Sequence, residues 1–440
     1  MNTVERIQHI RAAFPRQGMF RDKEWMLSDR PFSLPSDIVT LIQQLGPALR
    51  AFQRASNELY FLSAAGTSYP WVAEWLDRGK PQRVIDLGRD PRWRDALPRV
   101  IRPDLVFTED GVCITELDSI PGGIGLTAWL NQTYAALGDR VIGGTDGMLR
   151  GVRNAFPGED ILISRESADY QPEMEWIAQQ LNDGRSVMNP WNLDSRSLPG
   201  RSLYRFFELF DLPNIENIEP LLELAQAGEI TFSPPLKAFL EEKLWLVLFW
   251  NPQLADYWKE ALSTEHWGLL RRTIPQGWFV DPTPLPSCAV LPGLNVHDWE
   301  EVKRFGGKDR QLVLKISGFS EIGWGARSVS IGHDLSQEQW RAALDEALAS
   351  AADHPYVLQV FHRARVVDHP AWNEELGGVV NMRARVRLCP YFFAPDASPS
   401  PELGGILATV CPADKKILHG MKDAIMLPCT QDVLANRAHV

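Results

Sequence analysis

The chain has 440 residues, of which 45% are hydrophobic, and it carries a formal net charge of −11 from 45 basic and 56 acidic residues. This length predicts roughly two or three domains with large apolar cores. Because the sequence has no dense basic cluster, we expect no nucleic-acid partner. A local cationic pocket for a phosphorylated ligand is compatible with this charge balance.

The cysteines and the N-terminal sequence indicate the cellular compartment of the protein. The five cysteines are scattered and form no CxxC pair, which favours neither a disulfide framework nor a zinc site; they are Cys113, Cys288, Cys389, Cys411 and Cys429. The N-terminal sequence MNTVERIQHIRAAFPRQ resembles an amphipathic helix more than a signal peptide. The apolar run from Leu244 to Trp250 is far shorter than the roughly 20 residues that span a bilayer. We expect a soluble, cytoplasmic protein with no membrane partner.

The first part of the chain predicts helices followed by short strands. Residues 1–90 are interpreted as a helical N-terminal region, because apolar side chains recur at helical spacing; they include Ile38, Leu41, Leu45, Leu49 and Phe52. From Arg83 onwards the segments RVIDLG, DLVFTEDG and VCITELDS predict short strands. Asp110 and Gly111 lie between the last two segments, and this pair predicts a hairpin.

The middle and C-terminal parts of the chain predict a mixture of strands and helices. Residues 160–164 (DILIS) and the helical pattern at 174–181 indicate the start of a βαβ unit. The apolar run 239–250 is interpreted as the buried face of a helix that bears Lys243, and the proline-rich segment 275–292 as a linker or the base of a lid. The remainder predicts a mixed α+β domain, with strands at 312–316, 356–361, 383–388 and 406–410 and a helix at 337–350.

The segment QLVLKISGFSEIGWGARSV indicates a nucleotide site. It places Lys315 in an apolar strand just before a loop that contains Gly318, Gly323 and Gly325. A lysine beside a glycine-rich loop can hold a polyphosphate between its ammonium group and the backbone amides of the loop. The lysine precedes the glycines, so this is not the common GxxxxGK[ST] phosphate loop. The alternative is an ordinary hairpin with a solvated lysine.

The segment ITELDSIPGGIG carries a second candidate site. Glu116 and Asp118 alternate along a predicted strand and therefore project from the same face. Two carboxylates on one face favour a cation between them, which makes a magnesium pair the functional hypothesis. The alternative is a solvated edge strand that carries two acids. The glycines that follow favour the functional hypothesis, because they let the backbone approach a ligand closely.

The order of several motifs resembles a known family. The chain shows Arg102 and Asp104, then Glu116 and Asp118 before a glycine turn, then SLYRFFE, LKAFLEEK, VLKISGFSEIGWG and VLQVF. This order resembles the circularly permuted ATP-grasp proteins, the group that contains glutathionylspermidine synthetase and eukaryotic glutathione synthetase. The resemblance extends from about residue 102 to residue 410. Asp118 stands where the family usually has asparagine.

The resemblance implies an α+β fold, a circularly permuted ATP-grasp core with a Rossmann-like α/β substrate domain and a helical N-terminal region. The implied division is a helical region at 1–90, metal-binding strands of the core at 91–135, a substrate domain at 136–235 and a nucleotide-binding domain at 236–440. The implied activity is ATP-dependent joining of a carboxylate to an amine through an acyl phosphate, with a small peptide, amino acid or polyamine as substrate. The oligomeric state stays open.

The resemblance also implies roles for individual residues. Lys243 and Lys315 would contact the ATP phosphates, the loop glycines would cover them, and the backbone at Gln359 and Val360 would meet adenine. Arg102 would join Lys315 at the reacting groups. The remaining implied contacts are to nucleotide phosphates, from Arg385 or Arg387, and to Mg²⁺, from Glu116, Asp118 and Glu321. Two alternatives stay open: a kinase or phosphotransferase, and a degenerate ATP-grasp scaffold without catalysis.

Overall fold

The computed structural model describes residues 1–14, 18–19, 24–286, 289–323, 328–396, 398, 400–420 and 422–432. Within these residues the strands form three sheets, one large and mixed, one small and antiparallel, and one small and parallel. Helices pack against each sheet, which gives a mixed α/β architecture. Across the described ranges, no helix is both long enough and apolar enough to cross a bilayer.

The N-terminal region is mainly helical, as its spacing predicts. Its helices are α1 (Thr3–Ala13), α2 (Ser36–Ala64), α3 (Pro70–Asp77) and α4 (Gln82–Gly88). Helix α2 buries one stripe of apolar side chains at intervals of three and four residues, including Ile38, Ile42, Leu45 and Leu49. The region also contributes a strand that the sequence pattern missed, β1 (Phe32–Leu34), which pairs in parallel with the last strand of the large sheet.

The predicted strand RVIDLG is wrong, because these residues form α4. Pro81 precedes the helix, where a missing N–H is tolerated. Val84 and Leu87 are three residues apart and are both buried in an apolar cluster with Leu236. Burial of this i, i+3 pair on one face selects a helix over a strand.

The large sheet forms the centre of the molecule. Its strands after β1 are β2 (Val100–Thr108), β3 (Gly111–Asp118), β12 (Val367–Asn373), β13 (Gly378–Phe393), β14 (Glu402–Pro412) and β15 (Ile425–Gln431). The order across the sheet is β1-β15-β14-β13-β2-β3, and β12 also pairs with β13. The predicted hairpin is confirmed, since Thr108 pairs with Gly111 and Gly111 has a φ of +125°. Helices α5 (Ile124–Ala136) and α6 (Gly147–Ala155) pack on β14 and its neighbours.

The small parallel sheet follows the predicted βαβ pattern. Its strands are β4 (Asp160–Ile163), β5 (Val187–Met188), β6 (Ser202–Phe206) and β7 (Thr231–Ser233), in the order β5-β4-β6-β7. Helix α7 (Gln171–Leu181) connects β4 to β5, and α8 (Ile218–Ala227) connects β6 to β7. Parallel strands need such crossover helices, so the alternation of strand and helix leads directly to this sheet.

The small antiparallel sheet contains the lysine strand. Its strands are β8 (Gly277–Phe279), β9 (Leu312–Ile316), β10 (Ser330–Ile331) and β11 (Tyr356–Val360), in the order β10-β9-β11-β8. Helices α12 (Trp299–Lys303) and α13 (Gln337–Ala349) share its apolar core, in which Trp340 and Leu344 are fully buried. The predicted strands at 312–316 and 356–361 and the predicted helix at 337–350 are confirmed, with ends that agree to within one residue.

Three helices connect the parallel sheet to the antiparallel one: α9 (Leu244–Leu248), α10 (Ala255–Ala261) and α11 (Thr264–Thr273). The sequence predicted that Lys243 lies within a helix. The structure instead places Lys243 at the residue before α9, after a 3-10 turn at Ala238–Glu241. This position at the end of a turn allows the lysine side chain to point away from the buried helix and toward the large sheet.

Candidate functional site

A cleft of about 830 Å³ lies between the large sheet and the small antiparallel sheet. Alternate residues of β2, β3 and β13 line one wall, because side chains along a strand project to one face at every second position. They are Arg102, Asp104, Glu116, Asp118, Arg385, Arg387, Cys389 and Tyr391. The opposite wall is lined by Lys243, Lys315, Gly318 and Gly323. The cleft therefore brings together motifs that are distant in the sequence.

Ionised side chains of alternating sign form a row across the large sheet. The Arg102 guanidinium lies 2.9 Å from Asp104 Oδ1 through Nε and 2.9 Å from Asp118 Oδ2 through Nη2. Arg387 Nη1 lies 3.1 Å from Asp104 Oδ2 and extends the row to β13. Arg102 also donates to the Gly122 carbonyl at 3.3 Å. This charge row, Arg387-Asp104-Arg102-Asp118, fixes the orientation of the Arg102 side chain.

The two aspartates of the charge row differ in pKa. Burial opposes ionisation of Asp104, but the attraction of Arg102 and Arg387 is larger in sum, so the pKa of Asp104 is lowered. At Asp118, burial outweighs the attraction of Arg102 and the pKa of the carboxyl is raised. Asp104 is therefore the firmly ionised member of the pair, and Asp118 is the one that protonates more readily.

The two lysines reach β3 from the opposite wall. Lys243 Nζ lies 2.7 Å from Glu116 Oε1, and Lys315 Nζ donates to the Thr115 carbonyl at 3.0 Å. The pairing of β2 with β3 shifts register between Asp104 and Leu105, so Thr115 is the extra residue of a bulge. A bulged residue has no ladder partner. The bulge therefore leaves the Thr115 carbonyl oxygen outside the strand ladder, where it accepts a hydrogen bond from the Lys315 ammonium group.

The environment of the two ammonium groups differs. Burial, together with repulsion from Lys243, lowers the pKa of Lys315 below its ordinary value. Burial also acts on Lys243, but the attraction of Glu116 and of the nearby Glu208 and Glu242 exceeds it and raises the pKa of Lys243. Lys315 is therefore the cation with too little negative charge around it, and an anionic ligand would supply that charge.

The glycine loop follows Lys315 directly. Gly318 and Gly323 both line the cleft. A Cβ added to Gly318 would lie 2.8 Å from the Glu241 carbonyl oxygen, so only glycine fits this position. Gly325 lies outside the described residues.

Glu321 differs from the other two predicted metal ligands in its position relative to the cleft. It is exposed on the 3-10 turn Glu321–Gly323 and is absent from the described residues that line the cleft. Of the three predicted metal ligands, Glu116 and Asp118 therefore line the cleft and Glu321 does not, and the described residues contain no group of three metal-ligating side chains.

The end of β11 also lines the cleft. Gln359 and Val360, which the resemblance implied would meet adenine, both lie there. Gln359 is only 2% exposed, and its amide nitrogen Nε2 has no hydrogen-bond partner in the part of the chain that the structure describes. Buried amide donors are almost always paired. This donor therefore fits an acceptor atom of a bound ligand.

Arg385 and Arg387 lie on the large sheet at the cleft, but their roles there differ. Arg385 Nη1 donates to the Lys415 carbonyl at 3.1 Å. Arg387 is a member of the charge row through Asp104. Of the two arginines that the sequence proposed for phosphate contact, Arg385 is the one without a carboxylate partner in the ion pairs of the described residues.

Similarity to known proteins was found at the level of structure only, because no known protein family and no curated protein matches this sequence. A solved glutathione synthetase-like effector from Globodera pallida, in its apo form, aligns with a TM-score of 0.55 at 13% identity, over 93% of this chain and 90% of that one. The chain has a glutathione synthetase-like fold. A crystal structure described as a putative gamma-glutamylcysteine synthetase from Methylobacillus flagellatus gives a TM-score of 0.36 at 12% identity, over 80% and 84% of the two chains, which is too low to add support.

Sequence reasoning missed an acidic group that also lines the cleft. Glu208 and Glu241 both line it, and Glu241 pairs with the fully buried Arg205 at 2.6 Å. Burial, with repulsion from Glu241 and Asp118, raises the pKa of Glu208 well above its ordinary value. The signal was present in the sequence, since SLYRFFE contains Arg205 and Glu208 and LKAFLEEK contains Glu241.

The donor atoms around β3 suit a hard divalent cation. Glu116 and Asp118 both present carboxylate oxygens to the cleft, which are the ligands that Mg²⁺ prefers. Among the residues that the structure describes, however, no three His, Cys, Asp or Glu side chains are grouped to hold a metal by themselves. Mg²⁺ is commonly bound by one or two carboxylates together with substrate phosphates. The site therefore fits a metal that arrives with a nucleotide.

Proposed function

We propose that the protein is an ATP-dependent carboxylate–amine ligase with a circularly permuted ATP-grasp core, which forms an amide through an acyl phosphate. Its substrates would be a small peptide, an amino acid or a polyamine. One observation carries the proposal: Lys243 and Lys315 leave one wall of the cleft and meet β3 beside Glu116 and Asp118. Cations that converge beside carboxylates are what a magnesium-bound polyphosphate requires. The glutathione synthetase-like fold supports the same proposal.

In this proposal the nucleotide lies along the antiparallel sheet. Lys243 and Lys315 bind its phosphates, and the backbone at Gly318 and Gly323 covers them. Gln359, with its free amide donor, binds the adenine end together with the backbone at Val360. Arg385 adds charge on the opposite wall of the cleft. Electrostatic stabilisation of this kind acts strongly because the groups are buried and already oriented.

Glu116 and Asp118 would hold Mg²⁺ next to the lysines. A bound Mg²⁺ would neutralise charge on the phosphate oxygens and so favour attack at the terminal phosphorus. The protein side chains would orient the reacting groups. Arg102, fixed between two aspartates, lies where the carboxylate substrate meets the transferring phosphoryl group and stabilises the charge that develops there.

No side-chain nucleophile is needed for this chemistry. Cys113 and Cys389 both lie at the cleft, but burial raises the pKa of each thiol to about 12. Both thiols therefore stay protonated at neutral pH and act as packing groups.

A catalytically inactive nucleotide-binding protein is the second candidate, and one observation favours it. Arg102 engages Asp118 and Lys243 engages Glu116, so both proposed metal carboxylates have a cationic partner. An arrangement that is already neutralised can support binding without turnover. This candidate predicts Mg-ATP binding with no release of ADP in the presence of any carboxylate and amine.

The deciding experiment incubates the protein with Mg-ATP and a panel of amino acids, short peptides and polyamines, and measures ADP release and products by mass spectrometry. We expect ADP release that requires both a carboxylate and an amine, together with a new amide. Lys315→Met should lower the rate on the order of 10²-fold or more. Glu159→Gln, which alters a buried carboxylate paired with Arg99, is the matched control. A phosphorylated acceptor without an amide would instead indicate a kinase, and binding without turnover would indicate the second candidate.

A further inference from the structure

A buried carboxylate behind the cleft wall joins three segments that are distant in sequence. Glu242 lies between Glu241 and Lys243, which both line the cleft, and its own side chain is only 3% exposed. One of its oxygens pairs with Lys80 Nζ, and the other accepts from Ser317 Oγ. Lys80 follows α3 in the N-terminal region, and Ser317 follows β9 directly. Both oxygens of Glu242 are thus used within the protein.

Ser317 connects Glu242 to the start of α9 and to Lys243 through hydrogen bonds. The Lys243 backbone N–H donates to the Ser317 carbonyl at 2.9 Å, and the next N–H, that of Leu244, donates to Ser317 Oγ at 3.0 Å. These bonds satisfy amide groups at the start of α9 that have no partner within the helix. They also fix the position from which the Lys243 side chain departs.

The glycine loop rests on the same carboxylate. A Cβ added to Gly318 would lie 2.9 Å from Glu242 Oε2, so the loop passes directly over this side chain. The next residue, Phe319, has a φ of +38°, a conformation that non-glycine residues rarely adopt. Lys80 Nζ lies 5.3 Å from the centroid of the Phe319 ring, within the range of a cation–π contact. Glu242 and Lys80 therefore pack against the loop at Gly318 and Phe319.

We propose that Glu242 and Lys80 are positioning residues of the nucleotide site, and that they act through Ser317 to hold Lys243 and the loop at Gly318 against the β and γ phosphates of ATP. The inference rests on the proposed function, since it assumes that the cleft binds ATP. Neither Glu242 nor Lys80 lines the cleft in the described structure, so neither would contact the nucleotide. Their influence is therefore specific to the phosphate end and does not extend to the adenine end at Gln359.

The test compares Mg-ATP with AMP, which lacks the β and γ phosphates, by calorimetric titration of the full chain. Glu242→Gln keeps the shape of the side chain but removes its charge, and Lys80→Met removes the partner. Each variant should weaken Mg-ATP binding by about tenfold, the size expected for loss of a charged hydrogen bond. AMP affinity should stay unchanged. The double variant should lose little more than either single one, because both changes break the same contact.

Two further variants keep the result interpretable. Ser317→Ala leaves the Lys80–Glu242 ion pair in place and removes only the hydroxyl that connects it to α9, so it should give a smaller loss, again for Mg-ATP alone. Glu159→Gln should change neither affinity, because Glu159 pairs with Arg99 outside the cleft. Equal losses for Mg-ATP and AMP, or wild-type affinities in the Glu242 and Lys80 variants, would overturn the inference. A wild-type chain that binds AMP and Mg-ATP equally would also overturn it, whereas one that binds neither would overturn the proposed function itself.

Discussion

The two walls of the cleft balance their charges differently. On the large sheet, Arg102 and Arg387 are paired with Asp104 and Asp118, so this wall is largely neutralised by its own side chains. On the opposite wall, Lys243 pairs with Glu116 across the cleft, whereas the hydrogen-bond partner of Lys315 within the described residues is a carbonyl oxygen, and burial lowers the pKa of Lys315. Paired side chains are already held in place before a ligand arrives, whereas a buried cation without a carboxylate partner, such as Lys315, gains most when an anion binds. Under the proposed function, the first wall would take the reacting groups and the second would take the phosphates.

The largest difference between the walls should appear in stability. Arg102→Met would leave two buried aspartates without their shared cation, so we expect a loss of about 3–5 kcal/mol in the free energy of unfolding. Lys315→Met would remove a cation that burial disfavours, so the ligand-free protein should be as stable as wild type or more stable. Urea unfolding at neutral pH measures both.

Arg196 offers a control for the loss of an arginine as such. It pairs with Asp194 at 3.0 Å, but its side chain is 89% exposed, and such pairs contribute little. Arg196→Met should have the same free energy of unfolding as the wild type. Equal destabilisation by the Arg102 and Lys315 variants would contradict the difference between the walls.

The pH dependence of stability should separate the two aspartates of the charge row. The pKa of Asp118 is raised above its ordinary 3.8, so the native state holds this proton more tightly than the unfolded chain does, and stability falls as the pH rises from 3.8 to the raised value. The pKa of Asp104 is lowered, so stability rises as the pH rises from the lowered value through 3.8.

The measurement is urea unfolding of Asp118→Asn and Asp104→Asn at several pH values between about 3 and 7. Relative to wild type, Asp118→Asn should become more stable as the pH rises, and Asp104→Asn should become less stable. The two differences change in opposite directions because the two shifts are opposite. Parallel pH profiles for the two variants would show that the charge row does not divide the acids in this way.

The smallest expected effect concerns Gln359 on the antiparallel sheet, where we propose that adenine binds. Gln359→Met replaces a buried side chain whose Nε2 has no partner in the described structure with an apolar one of similar size. We expect the ligand-free protein to gain about 1 kcal/mol in stability, because an unsatisfied buried donor is removed. Mg-ATP affinity should fall at the same time. A variant that loses stability without ligand would show that the amide is satisfied within the protein.

Local patterns in the sequence were sufficient for the parts of the site that depend on one strand. The alternation of Glu116 and Asp118 and the turn before Gly111 predicted a hairpin with both acids on one face, and the structure places both at the cleft. The strand that bears Lys315 was predicted with the same bounds that it has in the structure. These features follow from side-chain periodicity and turn chemistry, which act over a few residues.

Contacts between distant segments were not accessible in the same way. The parallel pairing of β1 with β15 joins the two ends of the chain, and the pairing of Glu242 with Lys80 spans 162 positions. The periodicity of side chains within one helix or strand does not indicate such contacts. The prediction of a strand at RVIDLG was wrong for a related reason. The helix there is selected by burial of Val84 and Leu87 against residues much later in the chain.

Titration calorimetry of Mg-ATP into the wild type and Lys315→Met tests whether the cleft binds a nucleotide. We expect magnesium-dependent binding to the wild type and a large loss of affinity in the variant, although the variant is at least as stable without ligand. At about 100 times the dissociation constant, Mg-ATP should add roughly 2.7 kcal/mol to wild-type stability. Binding that is equally tight in the variant, or no binding to the wild type, would contradict the assignment of the cleft to a nucleotide.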